Sequence, residues 1–219
     1  MLESTMDHIV IGANHLHIET ARLENTLNST FLSGGKHDLM ATHNRLLKLQ
    51  DNIYLEVIAV DPEAHSKTNA SRRPRWFSLD NKFIQERLAR AAQPLTWVVA
   101  VSDIEAAKSK CDYDPGEIIE VSRDKLKWRL TVPTNGGLIE EGILPSLIEW
   151  PEGRNPAHLM ADSGVSLESL VVSHPEPERI SSSLEKLHFE GPLKVITGTK
   201  SLSFHFLRAD GHVEIVDQN

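Results

Sequence analysis

Three stretches of the chain open on a short β-branched run that ends in a polar break: His8-Ile-Val-Ile-Gly-Ala-Asn-His-Leu16, Thr96-Trp-Val-Val-Ala-Val-Ser-Asp-Ile104 and Ser169-Leu-Val-Val-Ser-His-Pro-Glu-Pro177. Each passes into a segment with helical spacing: Leu23, Leu27 and Phe31, then Ile104, Ala107 and Cys111, then Ile180, Leu184 and Leu187. Strand-like runs follow each helix. They are Thr42 to Leu49 and Ile53 to Val60; Glu117 to Ser122, Leu126 to Pro133 and Leu144 to Trp150; and Leu193 to Thr197, Ser201 to Leu207 and Val213 to Val216. Asp51-Asn52 and Ala209-Asp210-Gly211 supply hairpin turns. The pattern predicts an α+β chain of three strand-helix-strand units. The first spans 1–62, a linker covers 63–93 with an amphipathic helix around Asn81 to Ala92, the second unit spans 94–151, and a smaller third spans 152–219. Phe83, Ile84 and Leu88 form the apolar stripe of the linker helix.

Alternation along each strand sorts residues onto faces. Leu55, Val57 and Ala59 oppose Tyr54, Glu56 and Ile58; Leu126, Trp128, Leu130 and Val132 oppose Lys127, Arg129 and Thr131; Ile148 and Trp150 oppose Leu147 and Glu149; Ile9 and Ile11 oppose His8 and Val10. With the apolar sets taken as helix-facing, His8, Glu56, Arg129 and Glu149 fall on the other faces and can converge in a shared hollow. A mid-strand carboxylate among apolar neighbours is costly unless it is paired, hydrogen-bonded or bound to a metal.

Composition narrows the function classes. With 23 Lys and Arg against 31 Asp and Glu over 219 residues, the net charge of −8 argues against a grip on nucleic acid or an anionic membrane. The arginines at 72, 73 and 75 read as a solvated loop or an ion-pair site, and 151–157 reads as a wrap between the second and third units. Cys111 is the single cysteine, so no internal disulfide forms; a reducing, cytoplasmic setting fits. No apolar run approaches the ~20 residues of a membrane span.

Asp7-His8-Ile-Val-Ile, Gly34-Gly-Lys-His37, Ala41-Thr-His-Asn44, Tyr54-Leu-Glu-Val-Ile-Ala-Val-Asp-Pro62, Trp128-Arg-Leu-Thr-Val-Pro133 and Leu147-Ile-Glu-Trp150 together resemble the glyoxalase-like domain proteins of the vicinal oxygen chelate superfamily. The resemblance implies β-α-β-β-β modules paired into an open, cup-shaped mixed sheet, with a third partial module. It implies a divalent ion such as zinc, manganese, iron or nickel, no organic cofactor, and lyase, isomerase or dioxygenase chemistry on a small molecule. It implies His8, Glu56 and Glu149 as metal ligands, with Glu56 or Glu149 doubling as the catalytic base. Thr96 stands where a fourth ligand is expected, a departure, since Thr is a poor ligand. Modules of this superfamily also pair between chains, which makes a homodimer one option.

The alternative on equal footing is a buried pair of Arg129 with Glu56 or Glu149 and a metal-free pocket that binds or sequesters a small molecule. With a metal, Arg129 is left to bind substrate. A two-residue turn at Asp51-Asn52 puts His43 on the face of Glu56, and a one-residue register shift presents Asn44 instead, so both are candidate substrate contacts. His37 reads as a solvated turn residue, Cys111 as a small core residue, and Trp97, Trp128 and Trp150 as core aromatics. His158, His174, His188, His205 and His212 lack metal-ligand spacing and read as surface or interface residues.

Overall fold

A computed structural model describes residues 4–50, 52–64, 73–123, 126–151 and 155–218. Arg72, Asp51 and part of the 151–157 wrap lie outside them. The first module runs β1 (Ser4–Gly12), α1 (Leu16–Leu27), β2 (Leu32–His37), β3 (Thr42–Gln50) and β4 (Ile53–Val60). Leu16, Leu23 and Leu27 bury one face of α1, and Asn28 ends the helix in the left-handed region (φ 51°). The linker helix α2 (Lys82–Leu88) is shorter than the periodicity predicts. Asn81 caps it by accepting from the Phe83 N–H, and Phe83 lies outside the buried stripe, 65% exposed.

The second module repeats the order: β5 (Gln93–Val101), α3 (Ile104–Lys110), β6 (Glu117–Arg123), β7 (Leu126–Val132) and β8 (Ser146–Glu149). In each module the last strand lies parallel to the first, β1 with β4 and β5 with β8. β1 and β5 join antiparallel, giving the order β2-β3-β4-β1-β5-β8-β7-β6, an open half-barrel.

The third unit runs β9 (Val165–His174), α4 (Pro177–Lys186), β10 (Phe189–Glu190), β11 (Leu193–Thr197), β12 (Ser201–Arg208) and β13 (Val213–Asp217). It keeps the strand-helix-strand order with different neighbours. The short crossover through α4 returns the chain directly beside β9, so its sheet is ordered β11-β9-β12-β13, while β10 pairs with the start of β1. His174 sits at the seam with the second module, 2.9 Å from Glu140.

Two apolar layers sandwich the half-barrel. On the convex side Ile9, Leu55, Val57, Trp97 and Leu147 share one cluster with α1, α3 and the third unit's Leu170, Phe204 and Phe206. Cys111 is partly buried against this layer, and burial pushes its thiol up to about 11. The concave side is filled by a second cluster, in which Val10, Ile58, Val98, Trp128 and Ile148 meet Met40, Trp76, Phe77 and Leu79. Among the described residues no helix is long and apolar enough to cross a membrane.

The β4 faces match the alternation, but those of β7 and β8 are reversed from the expectation. Their apolar residues Trp128, Leu130, Ile148 and Trp150 point into the concave cluster. The cup is packed with side chains here, so Arg129 and Glu149 lie on the convex side beside α3.

Candidate functional site

The chemistry-bearing groups meet where the two modules join. A register irregularity in β1 between Met6 and His8 brings Asp7 and His8 inward together, 0% and 5% exposed. Asp7 Oδ2 accepts from Trp150 Nε1 at 2.8 Å and Asn155 Nδ2 at 3.2 Å, and Asp7 Oδ1 lies 2.6 Å from His8 Nδ1. An ionised carboxylate only accepts, so His8 donates through Nδ1 and its Nε2 is left as the working nitrogen. The Tyr54 ring stacks on His8 at 4.6 Å. Burial, with Asp7 and Glu56 adding to it, holds the Tyr54 phenol well above its usual range.

Glu56 is the second element. One residue in β3 is absorbed between Lys48 and Gln50, so Leu46, not Leu47, pairs with Glu56. That single step decides between the two candidates on β3. Asn44 faces the cup and donates to Glu56 Oε1 at 2.6 Å, whereas His43 turns to the other side, edge-on to His17 at 6.3 Å. Asn44 Oδ1 in turn accepts from Gly35 N (2.8 Å) and Arg123 Nη1 (3.3 Å). The free oxygen Glu56 Oε2 lies 3.8 Å from His8 Nε2. A hydrogen-bonded chain therefore runs from Arg123 through Asn44 to Glu56, with the His8–Asp7–Trp150 chain facing it across a narrow gap.

The gap opens on a chamber of about 30 Å³ lined by His8, Glu56, Asn44, His37, Trp76 and Arg123. That is room for one or two waters or the reactive end of a ligand. His37 is not a solvated turn residue. It is 3% exposed, with its ring edge-on to Trp76 and Trp128. A larger cleft of about 990 Å³ lies alongside, lined by Asp7, Lys127, Arg129 and Glu149. Trp128 and Trp150, 5.3 Å apart, line both spaces and form the wall between them.

Glu149 and Arg129 stand outside the chamber. Arg129 Nη1 donates to Glu149 Oε2 at 2.9 Å and Nη2 to Glu105 of α3 at 2.6 Å. The guanidinium is thus bound to two carboxylates on the convex side. Thr96 is buried, and its hydroxyl reaches only the Trp97 carbonyl, 3.4 Å away.

A divalent ion would find two well-oriented donors, His8 Nε2 and Glu56 Oε2, with Asp7 as the outer carboxylate that commonly accompanies a metal-bound histidine. The third expected ligand, Glu149, is committed elsewhere. Among the described residues no group of three His, Cys, Asp or Glu side chains is placed to hold a metal ion. The donor set therefore does not fit the three-ligand site that the motifs implied. Asp7, Trp76 and Arg123 are the contributors missed in the sequence. The Asp7-His8 dipeptide was the one visible signal, since a carboxylate beside a histidine is the usual way to fix its tautomer.

No curated protein sequence matches the chain significantly. Among solved structures it is similar to a hypothetical protein from Staphylococcus aureus at 17% identity, with 97% of this chain and 98% of that one covered and a TM-score of 0.62, which shows a shared fold. A hypothetical protein from Bacillus halodurans C-125 matches at 16% identity over 69% of this chain and 98% of that one, TM-score 0.45. A methylmalonyl-CoA epimerase from Mycobacterium tuberculosis matches at 15% identity over 67% and 87%, TM-score 0.42. The model of the glyoxalase-like domain matches residues 6–188, most of the chain, and the chain belongs to that family.

Proposed function

We propose that the chain binds a small carbonyl compound in the cup and moves a proton on it, lyase or isomerase chemistry in which Glu56 is the base and His8 its partner. The observation that carries this reading is the facing of His8 Nε2 and Glu56 Oε2 at 3.8 Å, both side chains buried and each held from behind by a different residue. Two lone-pair atoms this close, away from water, are stable only with a proton or a donor group between them. Glu56 Oε2 takes the proton from the carbon next to the carbonyl, and the electron pair of that C–H bond moves onto the carbonyl oxygen. Return of the proton at another position or face gives an isomer; loss of a group from the neighbouring carbon gives a lyase product. His8 Nε2 receives or returns the proton while Asp7 stabilises the charged ring. The donor set, His8 Nε2 and Glu56 Oε2, does not support a metal ion.

The test is exchange of the α-protons of a panel of small carbonyl compounds in D2O, followed by NMR. Wild type exchanges at least one of them, and Glu56→Gln slows the exchange about 10²-fold or more. Exchange that survives Glu56→Gln overturns the assignment of the base. Stoichiometric metal that is lost in His8→Ala overturns the metal-free mechanism. A second reading, a pocket that sequesters a small molecule without turnover, is favoured by the committed Arg129–Glu149 pair. Saturable binding with no exchange supports it.

A further inference from the structure

Two groups line the chamber without touching the His8–Glu56 pair, and among the described residues both lack the partner their chemistry calls for. The Trp76 indole N–H is buried and has no acceptor among the described residues. A buried donor left without an acceptor is costly, and an oxygen placed against it relieves that cost. Among the described residues the Arg123 side chain has no carboxylate partner and one hydrogen bond, to the amide oxygen of Asn44. Both line the same chamber as His8 and Glu56.

The placement of Trp76 is enforced. Phe77 and Ser78, which follow it, both hold left-handed backbone at φ 55° and 57°, a conformation strained for any residue but glycine. Four contacts pin the segment there. Ser78 N donates to Gly136 O (2.8 Å), Leu138 N donates to Ser78 Oγ (2.9 Å), Arg75 binds Asp80, and Arg73 Nη2 donates to Val132 O (2.9 Å). The contacts that hold this strained turn place Trp76 and Phe77 in the cup. Gly35 clears the way for Arg123 on the other side. A Cβ there would lie 2.4 Å from Arg123 Cδ.

We propose that Trp76 Nε1–H and the Arg123 guanidinium form a carboxylate-binding subsite at one end of the chamber, so that the ligand is a small carboxylic acid whose reactive carbon is presented to His8 and Glu56. This deepens the proton-transfer reading and rests on it for the role of the reactive carbon alone. A guanidinium and an indole N–H supply the charge and the two directions that a carboxylate's oxygens need. The chamber, about 30 Å³, accepts a group of that size and little more.

The test uses formate as the probe and formamide as its neutral counterpart, followed by calorimetry and by the indole ¹H–¹⁵N signals. Wild type binds formate and not formamide, and formate shifts the Trp76 signal, assigned by its loss in Trp76→Phe. Trp76→Phe keeps the ring and weakens formate several-fold; Arg123→Gln weakens it tenfold or more, and Arg123→Lys recovers part of the loss. If Arg123→Gln melts below the assay temperature, Arg123→Lys and Trp76→Phe carry the test. Equal binding of formate and formamide, an unmoved Trp76 signal at saturating formate, or variants with wild-type affinity overturn the subsite. The two readings fail separately: formate binding that depends on Trp76 and Arg123 stands whether or not the wild type exchanges protons, and exchange without such binding overturns the subsite alone.

Discussion

His37 stands between the edges of Trp76 and Trp128, with Nδ1 3.1 Å from Thr42 Oγ1, and burial pushes its pKa down to about 3; Arg123, His8 and His43 act in the same direction. In the unfolded chain the ring titrates near 6.5. Between those values the unfolded state carries a proton that the folded state refuses, so stability falls as pH drops through 6.5 and levels off near 3. The slope is at most about 1.4 kcal/mol per pH unit. The urea midpoint is therefore expected to fall from pH 7 to pH 4, and His37→Gln to flatten that fall; an unchanged slope would remove His37 as its source. Glu149 is a contrasting case. Its pair with Arg129 is partly exposed, 24% and 35% for the two side chains. Such pairs contribute about 0–1 kcal/mol. Glu149→Gln is expected to cost no more than that in a urea melt and to leave proton exchange unaltered, whereas a residue of the relay would abolish it.

At the level of strands, the close approach of β2 to β3 sets the position of Asn44. A Cβ on Gly34 would lie 2.1 Å from both the Asn44 carbonyl oxygen and its Oδ1. Gly34→Ala must push the two strands apart, an overpacking cost of about 1–3 kcal/mol, and loosen Asn44 from Glu56. A lowered urea midpoint together with slower exchange checks it. Gly35→Ala meets the flexible Arg123 side chain instead, and is expected to cost less stability while lowering formate affinity. These strands also show what the sequence could convey. Leu55, Val57 and Ala59 were legible as a helix-facing set because the opposite face of β4 carries a carboxylate, so the two sides differ in polarity. Trp128 and Leu130 were assigned to the wrong side because the apolar face of β7 packs on the 76–79 segment inside the cup while the polar face, with Lys127 exposed, lies on the convex side, and alternation names two faces without saying which is which. The choice between His43 and Asn44 turned on one bulged residue, a feature of backbone geometry with no residue signature at Leu49. Trp76 carried no signal at all, since its role depends on two strained residues after it.

For the whole molecule, the third unit decides whether the half-barrel is a separable body. Phe204 and Phe206, both 0% exposed, lie in one cluster with Trp97, Leu55 and Ile180, so the layer that covers the convex side of β1, β4 and β5 is also the core of the β9–β12 sheet. β10 adds to β1, and Ser4 Oγ donates to the Leu187 carbonyl at 2.8 Å, tying the first strand of the chain to the segment after α4. The different strand order of the third unit follows from this duty. It presents the inner face of a small sheet to the barrel's back and lines no cup of its own. An apolar layer shared in this way has no interface at which the two sheets could part without exposing large side chains to water. Phe204→Ala removes a buried ring at the centre of that layer and is expected to cost about 3–5 kcal/mol. The tryptophan fluorescence and the far-ultraviolet dichroism should then shift to lower urea together, in one transition, because loss of the third sheet uncovers the back of the first. Two separated transitions, with the exchange activity surviving the first, would show instead that the cup folds without its cover.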